Sequence, residues 1–357
     1  MVKIVDVARR AGVSVGSVSR VINDHPTVTP ATRARVELAV RELGYVPNAI
    51  AGSLRSRRSK MVGLIIPDVT NPFFSELALH VERSAAAAGY NLVLGNSDNS
   101  VDQETYYLHA LAVRRVDGII FVPANETSRS AEIAIPVVGV DREIDGCPFV
   151  ASDNRAGAKS ATEYLHSLGH RLIGCVAGPG DLPNARERRR GYEEVALPIL
   201  RMAGVDPSDY IVSADFSYDA GYAATRSLLK VSPRPTAIFA SSDQQAIGGL
   251  RAAADLGLAV PLDLSVVGFD DVPLAKLVMP RLTTVAQPVA EIGVLAMQLL
   301  LDLLSGAEAP RRRRHLLATS LRLRQSCAPP DAARAVLVRQ DQENPFQSIL
   351  EEEKQEP

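Results

Sequence analysis

Apolar residues near the amino terminus recur at the three- and four-residue spacing of amphipathic helices. In the first helix these positions are Ile4, Val7, Ala8 and Ala11, and in the second they are Val18, Val21 and Ile22. Gly12 can end the first helix because glycine tolerates the left-handed conformation, and Ser14 can cap the start of the second. The pattern therefore predicts two short helices joined by a turn at residues 11–14.

A third helix is predicted in the segment that follows. Thr29 precedes Pro30, which suits the first position of a helix, and Gly44 provides a stop after Leu43. Two helices joined by a tight turn are typical of DNA-reading helix-turn-helix units, whose second helix enters the major groove by its N-terminal residues. Residues 1–47 are therefore predicted to form an all-α DNA-binding domain.

From Met61 onward, short apolar runs alternate with helical stretches. The runs predicted as strands are 62–66, 92–94, 118–122, 137–140, 172–176, 211–213, 237–240, 265–268 and 316–324. The helices predicted between them include 74–88, 155–168, 185–203 and 296–304. Such alternation is typical of the α/β class, in which helices cover both faces of parallel sheets. The length of this region favours two α/β lobes with a cleft between them.

Composition excludes several classes of protein. The 357 residues are 46% hydrophobic and 22% charged, with a mean hydropathy of +0.03, and no apolar run approaches the roughly 20 residues of a spanning helix. The amino terminus lacks the features of a secretory signal, so a cytoplasmic protein is expected. Three dispersed cysteines and six scattered histidines predict no disulfide, metal or cofactor.

Charge is distributed unevenly along the chain. Residues 1–60 contain eleven Lys and Arg but only four Asp and Glu, a net charge of +7, so the remainder carries −9 in a chain of net charge −2. Lys and Arg that neutralise phosphates drive nucleic-acid binding through counterion release. A solvated basic surface explains the excess equally well on charge alone.

Polar and aromatic residues gather where the predicted strands end, which is where open α/β sheets bind ligands. They are Asn71, Phe73, Phe74, Asp141, Arg142, Asp153, Asn154, Arg186, Arg188, Asp215, Phe216, Ser242, Asp243, Asp270, Asp271 and Gln287. Sugar rings stack on aromatic faces, and their hydroxyls need paired donors and acceptors. A carboxylate pair could also hydrolyse glycosides, but residues 177–181 lack the phosphate-loop pattern and no serine nucleophile elbow occurs.

The amino-terminal region resembles the lactose/galactose-repressor (LacI/GalR) family of bacterial transcription factors. The match covers residues 6–23, Thr32, Arg33, residues 43–48 and Leu54. The resemblance implies a homodimer on a near-palindromic DNA operator, with Val15, Gly16 and Arg20 facing the groove. The full set of DNA-binding residues that it implies is Ser14, Val15, Gly16, Ser17, Arg20, Asn23, Asn48, Ala51 and Leu54. Arg20 can bond guanine O6 and N7 together.

Residues 48–60 resemble the hinge of that family, which folds on the minor groove of DNA. Leu54 is then a candidate wedge between base steps, although a plain linker suits the same basic segment. The resemblance ends near Ser326, which gives an effector-binding domain over residues 61–328. Residues 329–357 are rich in Asp and Glu without sustained heptads, and we expect a disordered tail.

The body is similar to periplasmic sugar-binding proteins, and most closely to those that bind ribose. The resemblance implies an effector site of Asn71, Phe73, Phe74, Asp141, Arg142, Asn154, Arg188, Phe216, Ser242, Asp270 and Gln287. Ser242 departs from the ribose pattern, which has asparagine there, so a nucleoside, another sugar or a purine-like effector stays open. A transport protein and an enzyme are the competing classes. Induction by the sugar is favoured over co-repression, but the sequence does not fix the sign.

Overall fold

A computed structural model describes residues 2–22, 24–45, 58–124, 135–306 and 314–330. The chain divides into two compact units, Met1–Lys60 and Met61–Pro357. Within the described ranges, no helix is long and apolar enough to cross a membrane. The predicted DNA-binding residues Asn23, Asn48, Ala51 and Leu54, most of the hinge and the tail beyond residue 330 lie outside the described residues.

The amino-terminal unit contains the three predicted helices: α1 (Ile4–Ala11), α2 (Val15–Ile22) and α3 (Pro30–Leu43). Gly12 and Gly44 end α1 and α3 in the left-handed conformation, with φ of 63° and 57°. Thr29 caps α3 by accepting a hydrogen bond from the Thr32 backbone N–H. The three helices bury one small core, in which Val7, Val18 and Val36 are fully buried.

The second unit contains two six-stranded sheets, which confirms the α/β prediction. The strands are β1 (Met61–Ile66), β2 (Asn91–Asn96), β3 (Gly118–Phe121), β4 (Val137–Val140), β5 (Phe149–Ser152), β6 (Ile173–Ala177), β7 (Ile211–Ser213), β8 (Ala237–Ala240), β9 (Ser265–Asp270), β10 (Thr283–Ala286), β11 (Arg314–Leu317) and β12 (Ser320–Arg322). Lobe 1 is the sheet β11-β5-β4-β3-β1-β2 with its helices, and lobe 2 is β12-β10-β9-β8-β6-β7. Every strand pairing is parallel except that of β12 with β10.

Seven α-helices of the described body cover the sheets, and two short 3₁₀ turns, Pro207–Tyr210 and Pro273–Lys276, lie in lobe 2. The α-helices are α4 (Pro72–Ala87), α5 (Val101–Val113), α6 (Asn154–Ser167), α7 (Pro183–Met202), α8 (Tyr218–Leu228), α9 (Asp243–Asp255) and α10 (Val289–Leu304). The core of lobe 1 includes Leu64 and Leu300, and one core cluster of lobe 2 includes Leu165 and Phe239. Helix α6 thus packs in lobe 2 although it follows β5 of lobe 1. Helix α10 packs in lobe 1 although it follows β10 of lobe 2.

The prediction of one final strand over residues 316–324 is wrong. Those residues belong to two strands, because β11 adds to lobe 1 whereas β12 pairs with lobe 2 after a two-residue crossing. The chain therefore passes between the lobes three times, after β5, after β10 and after β11. Strands β5 and β10 were not predicted; β5 ends in a serine and β10 begins with two threonines, so neither is apolar throughout. In β10, the buried Thr283 N–H donates to Ser326 Oγ at 2.8 Å.

Candidate functional site

Helix α2 presents the predicted DNA-reading residues on its exposed side. The Ser14 hydroxyl caps the helix by accepting from the Ser17 N–H at 3.1 Å. Val15 is 40% exposed and Gly16 and Arg20 are exposed, whereas Val18 on the opposite face is fully buried. Core packing therefore does not account for Val15. The exposed face carries one long cationic side chain, Arg20, beside two short residues.

The turn before α2 is held by an arginine of α3. Arg35 donates to the carbonyl of Ala11 from Nε at 3.1 Å and from Nη2 at 2.6 Å, and to the carbonyl of Gly12 at 2.8 Å. Carbonyl groups at a helix end otherwise lack partners. Arg35 thereby fixes the turn that orients α2, a role that its sequence spacing did not reveal.

A cavity of about 420 Å³ lies between lobe 1 and lobe 2, at the carboxyl ends of their strands. Lobe 1 supplies Asp68, Asn71, Phe74, Asn99, Ala124 and Arg142, and lobe 2 supplies Pro179, Asp181, Leu182, Asp215, Phe216 and Ser217. Asn71 caps α4, since its side-chain oxygen accepts from the Phe73 N–H at 3.1 Å. Two aromatic rings from opposite lobes and several polar side chains thus share one space.

On the lobe 2 side, a buried network is centred on Arg188 of α7. Its Nε donates to Asn154 Oδ1 at 2.7 Å, and its Nη1 donates to Asp270 Oδ1 at 3.1 Å and to the Ser241 carbonyl at 2.6 Å. Gln287 donates to the same Asp270 oxygen at 2.7 Å. The guanidinium carbon lies 3.9 Å from the centroid of the Phe269 ring. Five segments of the chain are joined here.

Close approach of two helices makes this network possible. Helix α7 carries Arg188 and passes over the start of α6, where Asn154 is the first residue. A Cβ added at Gly191 would lie 2.2 Å from the Arg155 carbonyl oxygen, which is backbone and cannot swing away. Only glycine therefore lets α7 approach α6 this closely.

On the lobe 1 side, the buried groups are Asp141 and Arg142, directly after β4. Asn184 donates to Asp141 Oδ2 at 2.7 Å, and Arg142 Nε lies 3.8 Å from the same oxygen. Arg142 Nη1 donates to the carbonyls of Pro123 and Ala124, the latter at 2.7 Å. Because Asn184 belongs to α7, the bond from Asn184 to Asp141 joins the two lobes.

Two aspartates at the ends of strands have uncommon backbone conformations. Asp141 has φ of 62° and Asp270 has φ of 121°, a region that residues other than glycine rarely adopt. Such backbone strain is found preferentially at ligand-binding and active sites. Both residues stand at the edge of the sheet that faces the other lobe.

Burial shifts the acid-base behaviour of this region. It raises the pKa of Asp270 to about 6 despite the nearby Arg188 and Gln287, and lowers the pKa of Arg142 below its usual range. Asp243 is fully buried, and burial together with Asp270 raises its pKa well above the ordinary range. Asp243 accepts from the Thr284 hydroxyl at 2.5 Å and from the Val272 N–H at 2.9 Å. It thereby ties α9 to the loop that follows Asp270.

The predicted effector residues fall into two groups. Asn71, Phe74, Arg142 and Phe216 line the cavity. The others are buried around it without lining it: Phe73, Asp141, Asn154, Arg188, Ser242, Asp270 and Gln287. Phe73 packs edge to face on Phe74 at 5.1 Å, and Ser242 caps α9 by accepting from the Gln245 N–H.

The residues of the cavity or network that were not identified from the sequence include Asp68, Asn99, Asp181 and Asn184. Each lies a few residues beyond a strand, in a turn or at the start of a helix. The rule that ligands bind beyond strand ends would have included them had it been extended past the first residues after each strand.

Several buried polar atoms around the cavity have no hydrogen-bond partner among the described residues. Two of them can only accept, namely Asp141 Oδ1 and Gln287 Oε1, and Arg142 Nε can only donate. The hydroxyls of Ser152 and Ser241 can do either. Leaving such groups unpaired costs about 1–3 kcal/mol each, so a polar ligand gains by pairing them. In the described ranges, no group of three or more His, Cys, Asp or Glu could hold a metal ion.

Comparison with known proteins covers both units. Residues 3–48 match the family "Bacterial regulatory proteins, lacI family", and residues 162–327 match the periplasmic binding protein-like domain. The chain is 41% identical to the ribose operon repressor of Halalkalibacterium halodurans over 84% of this chain and 90% of that protein. It is 40% identical to catabolite control protein A of Priestia megaterium over 84% of this chain and 91% of that protein.

Solved structures agree with the fold. The lac repressor dimer bound to operator and the anti-inducer ONPF matches with a TM-score of 0.80 at 29% identity, covering 92% of this chain and 99% of that one. A lacI-family regulator from Enterococcus faecium with bound ribose matches with a TM-score of 0.67 at 30% identity, covering 75% and 99%. These relatives are regulators rather than enzymes or transport proteins.

Proposed function

The chain belongs to the lacI family of bacterial regulatory proteins, and on that premise we propose that its effector is ribose or a related pentose, held between the two lobes. As a member of this family, the protein is a DNA-binding transcriptional regulator and not an enzyme. We propose that it acts in the cytoplasm, as a homodimer on a near-palindromic operator; the similar lac repressor was solved as a dimer bound to its operator.

The observation that carries the proposal is the convergence of Arg188, Asp270, Asn154 and Gln287 beside the cavity between the lobes. These groups bond one another and leave Gln287 Oε1 as an unpaired acceptor, to which a sugar hydroxyl can donate. Phe74 and Phe216 line the cavity from opposite lobes and can cover the faces of a sugar ring. The ribose operon repressor among the relatives supports the choice of a pentose.

A nucleoside is the second candidate, favoured by two observations. The cavity of about 420 Å³ lies within the size range of pockets that take larger ligands than a monosaccharide. Ser242 uses its hydroxyl to cap α9 and therefore offers a ligand less than a longer amide side chain would. Overall identity does not decide the effector, because catabolite control protein A is as similar as the ribose operon repressor.

For the DNA-binding unit we propose that Arg20 reads a base edge and that Ser14, Val15, Gly16 and Ser17 make the close contacts around it. The exposure of Val15, Gly16 and Arg20 supports this assignment. Asn23 and the hinge residues Asn48, Ala51 and Leu54 complete the proposed interface. Replacing Leu54 with alanine is expected to weaken operator binding without changing effector affinity.

Control of DNA binding by the effector follows from thermodynamic linkage between the effector site and the DNA-binding site. An effector can change operator affinity only by binding one arrangement of the lobes more tightly than the other. The three crossings and the Asn184–Asp141 bond are the described connections that such a change must rearrange. We propose that the sugar stabilises the arrangement that releases the operator.

A thermal-shift screen of the full chain tests the effector. A ligand that binds only the folded state raises the unfolding temperature, and the rise grows with the logarithm of its concentration relative to Kd. We expect D-ribose or a related pentose to give the largest shift among pentoses, hexoses and nucleosides. A shift produced by nucleosides alone would select the second candidate, and a response to hexoses alone would reject both.

A further inference from the structure

We propose that the cavity between the lobes selects ligands by charge, accepting uncharged polyhydroxyl compounds and excluding their phosphate esters. This inference deepens the proposed function and rests on it for the location of the effector, but not on the effector being ribose. Asp68, Asp181 and Asp215 carry the selection through their position at three helix starts beside the cavity.

Three helices begin at the cavity, and their capping residues line it. These are Asn71 of α4, Leu182 of α7 and Ser217 of α8. The N-terminus of a helix attracts anions, because its first N–H groups lack partners and the helix dipole is positive there. Without further charges, this arrangement would favour a phosphate.

Each of these helix starts already has a carboxylate of the chain beside it. Asp68 precedes the cap of α4 by three residues, Asp181 directly precedes that of α7, and Asp215 precedes that of α8 by two. All three aspartates line the cavity. The protein's own aspartates therefore provide the negative charge that each helix start favours. A ligand phosphate at the same position would be repelled by these carboxylates.

Both buried arginines are largely engaged by the protein, and among their buried nitrogens only Arg142 Nε has no hydrogen-bond partner in the described part of the chain. Arg188 is used by Asp270, Asn154 and the Ser241 carbonyl. Arg142 donates to the carbonyls of Pro123 and Ala124 and lies beside Asp141. The two carboxylates, Asp141 and Asp270, match the charge of the two guanidinium groups. The three lining aspartates then leave this set of groups with a net negative charge.

The unpaired buried atoms favour a ligand that both donates and accepts, since Arg142 Nε requires an acceptor while two oxygens require donors. Asp141 Oδ1 and Gln287 Oε1 require donors, and a sugar hydroxyl can donate and accept at once. An ionised phosphate offers mainly acceptors and would leave both oxygens unpaired. The arginines on the outer side of α7 do not change this balance, since Arg186, Arg189 and Arg190 line a separate cavity of about 270 Å³.

The test compares matched pairs of ligands by titration calorimetry on the full chain: D-ribose with D-ribose 5-phosphate, adenosine with AMP, and D-glucose with D-glucose 6-phosphate. The uncharged member of the binding pair is expected to bind at least 100-fold more tightly than its ester. Because the pairs span three ligand classes, binding of adenosine but not AMP would overturn the pentose assignment and support the selection by charge. An ester that binds as tightly as its uncharged partner would overturn the selection itself, and no binding in any pair would contradict both.

Variants locate the selection. In the double variant Asp181→Asn/Asp215→Asn, the Kd of the phosphate ester divided by the Kd of its uncharged partner is expected to fall at least tenfold. The gain in ester affinity should diminish at high salt, because salt screens charge. The matched control is Asp219→Asn, which removes an exposed carboxylate from the first turn of α8 that does not line the cavity. The control should leave the ratio unchanged. An unchanged ratio in the double variant would refute the role of these two aspartates.

Discussion

The two buried arginines beside the cavity are held in different ways. Arg188 in lobe 2 bonds a carboxylate, a side-chain amide and a carbonyl, and its guanidinium covers the Phe269 ring. Arg142 in lobe 1 bonds two carbonyls, lies 3.8 Å from its carboxylate and keeps an unpaired Nε. The Arg188 guanidinium is thus held by several partners before a ligand arrives, whereas Arg142 keeps an unpaired Nε; among the described residues, unpaired acceptors occur on both walls, at Asp141 Oδ1 and at Gln287 Oε1.

This difference suggests a division of labour between the lobes. An arginine that several partners already hold keeps its position at little further cost on binding, and preorganisation of this kind favours affinity. Unpaired groups on the facing wall gain partners only when a ligand is present, so they favour the arrangement of lobes that brings the ligand to them. Lobe 2 would then supply most of the affinity for the sugar, and lobe 1 would move relative to lobe 2 when the sugar binds.

The largest expected effect is that of Arg188→Met. Removing the cation leaves Asp270 buried without its partner, which typically costs about 3–5 kcal/mol of folding stability. Effector binding should be lost, while operator binding at permissive temperature persists. Denaturant unfolding and calorimetry measure the two effects. Arg188→Met/Asp270→Asn should recover part of the stability but not the binding, and a loss below about 1 kcal/mol in the single variant would contradict the account.

Arg142→Met should cost less stability than Arg188→Met. It leaves two carbonyls unpaired but does not isolate a carboxylate, since Asn184 still donates to Asp141. The expected loss is about 1–3 kcal/mol of stability and about 10- to 100-fold in effector affinity. If Arg142→Met destabilises as strongly as Arg188→Met, the contrast between the two walls is wrong.

Gly191→Ala tests how lobe 2 positions Arg188. The added methyl group would meet the Arg155 carbonyl, so α7 must move away from α6 and lengthen the Arg188–Asn154 bond. We expect a loss of about 1–3 kcal/mol in unfolding free energy and weaker effector binding. Gly180→Ala is the matched control, because a Cβ there meets no atom within 4 Å. If both variants have the same unfolding free energy and effector affinity, Gly191 does not position Arg188.

The smallest expected effect is a pH dependence of effector affinity. Because the folded-state pKa of Asp270 is raised to about 6, this carboxyl takes up a proton as pH falls through 6 and loses its charge opposite Arg188. Affinity should weaken by at most about tenfold per pH unit below 6. Calorimetry between pH 7.5 and 5 measures this change, and constant affinity over that range would contradict it.

Unfolding at each pH is the necessary control. The raised pKa of Asp270 makes the folded state relatively more stable as pH falls from 6 towards 3.8, so this group does not cause acid unfolding. His170 acts in the opposite direction. Burial lowers its pKa to about 4, so stability that depends on its neutral form is lost as pH falls below 6.5 towards 4.

Local signals predicted the helices of the DNA-binding unit, because Gly12, Ser14, Thr29 and Gly44 act within a few residues of the ends that they define. Strand and helix alternation likewise predicted two α/β lobes. The crossing between β11 and β12 could not be predicted, since only Ala318 and Thr319 separate the two strands and neither marks a turn; only the partners of the strands distinguish them.

The candidate site was predictable as a set of residues but not as an arrangement. The family resemblance identified Arg188, Asn154, Asp270 and Gln287 as effector residues. Their hydrogen bonds with one another depend on the close packing of α7 on α6 that Gly191 allows. Asn184 and Asp181 were missed because their roles arise from the contact between lobes and from the start of α7.

The most direct measurement of the central claim is fluorescence anisotropy of a labelled operator, selected from random duplexes, titrated with the full-length protein with and without D-ribose. The account predicts that the wild-type protein prefers this duplex over unrelated DNA and releases it as the pentose is added, whereas Arg188→Met binds it and does not respond. Identical binding to every duplex, or a wild-type titration that D-ribose and every other uncharged sugar or nucleoside leave unchanged, would contradict it.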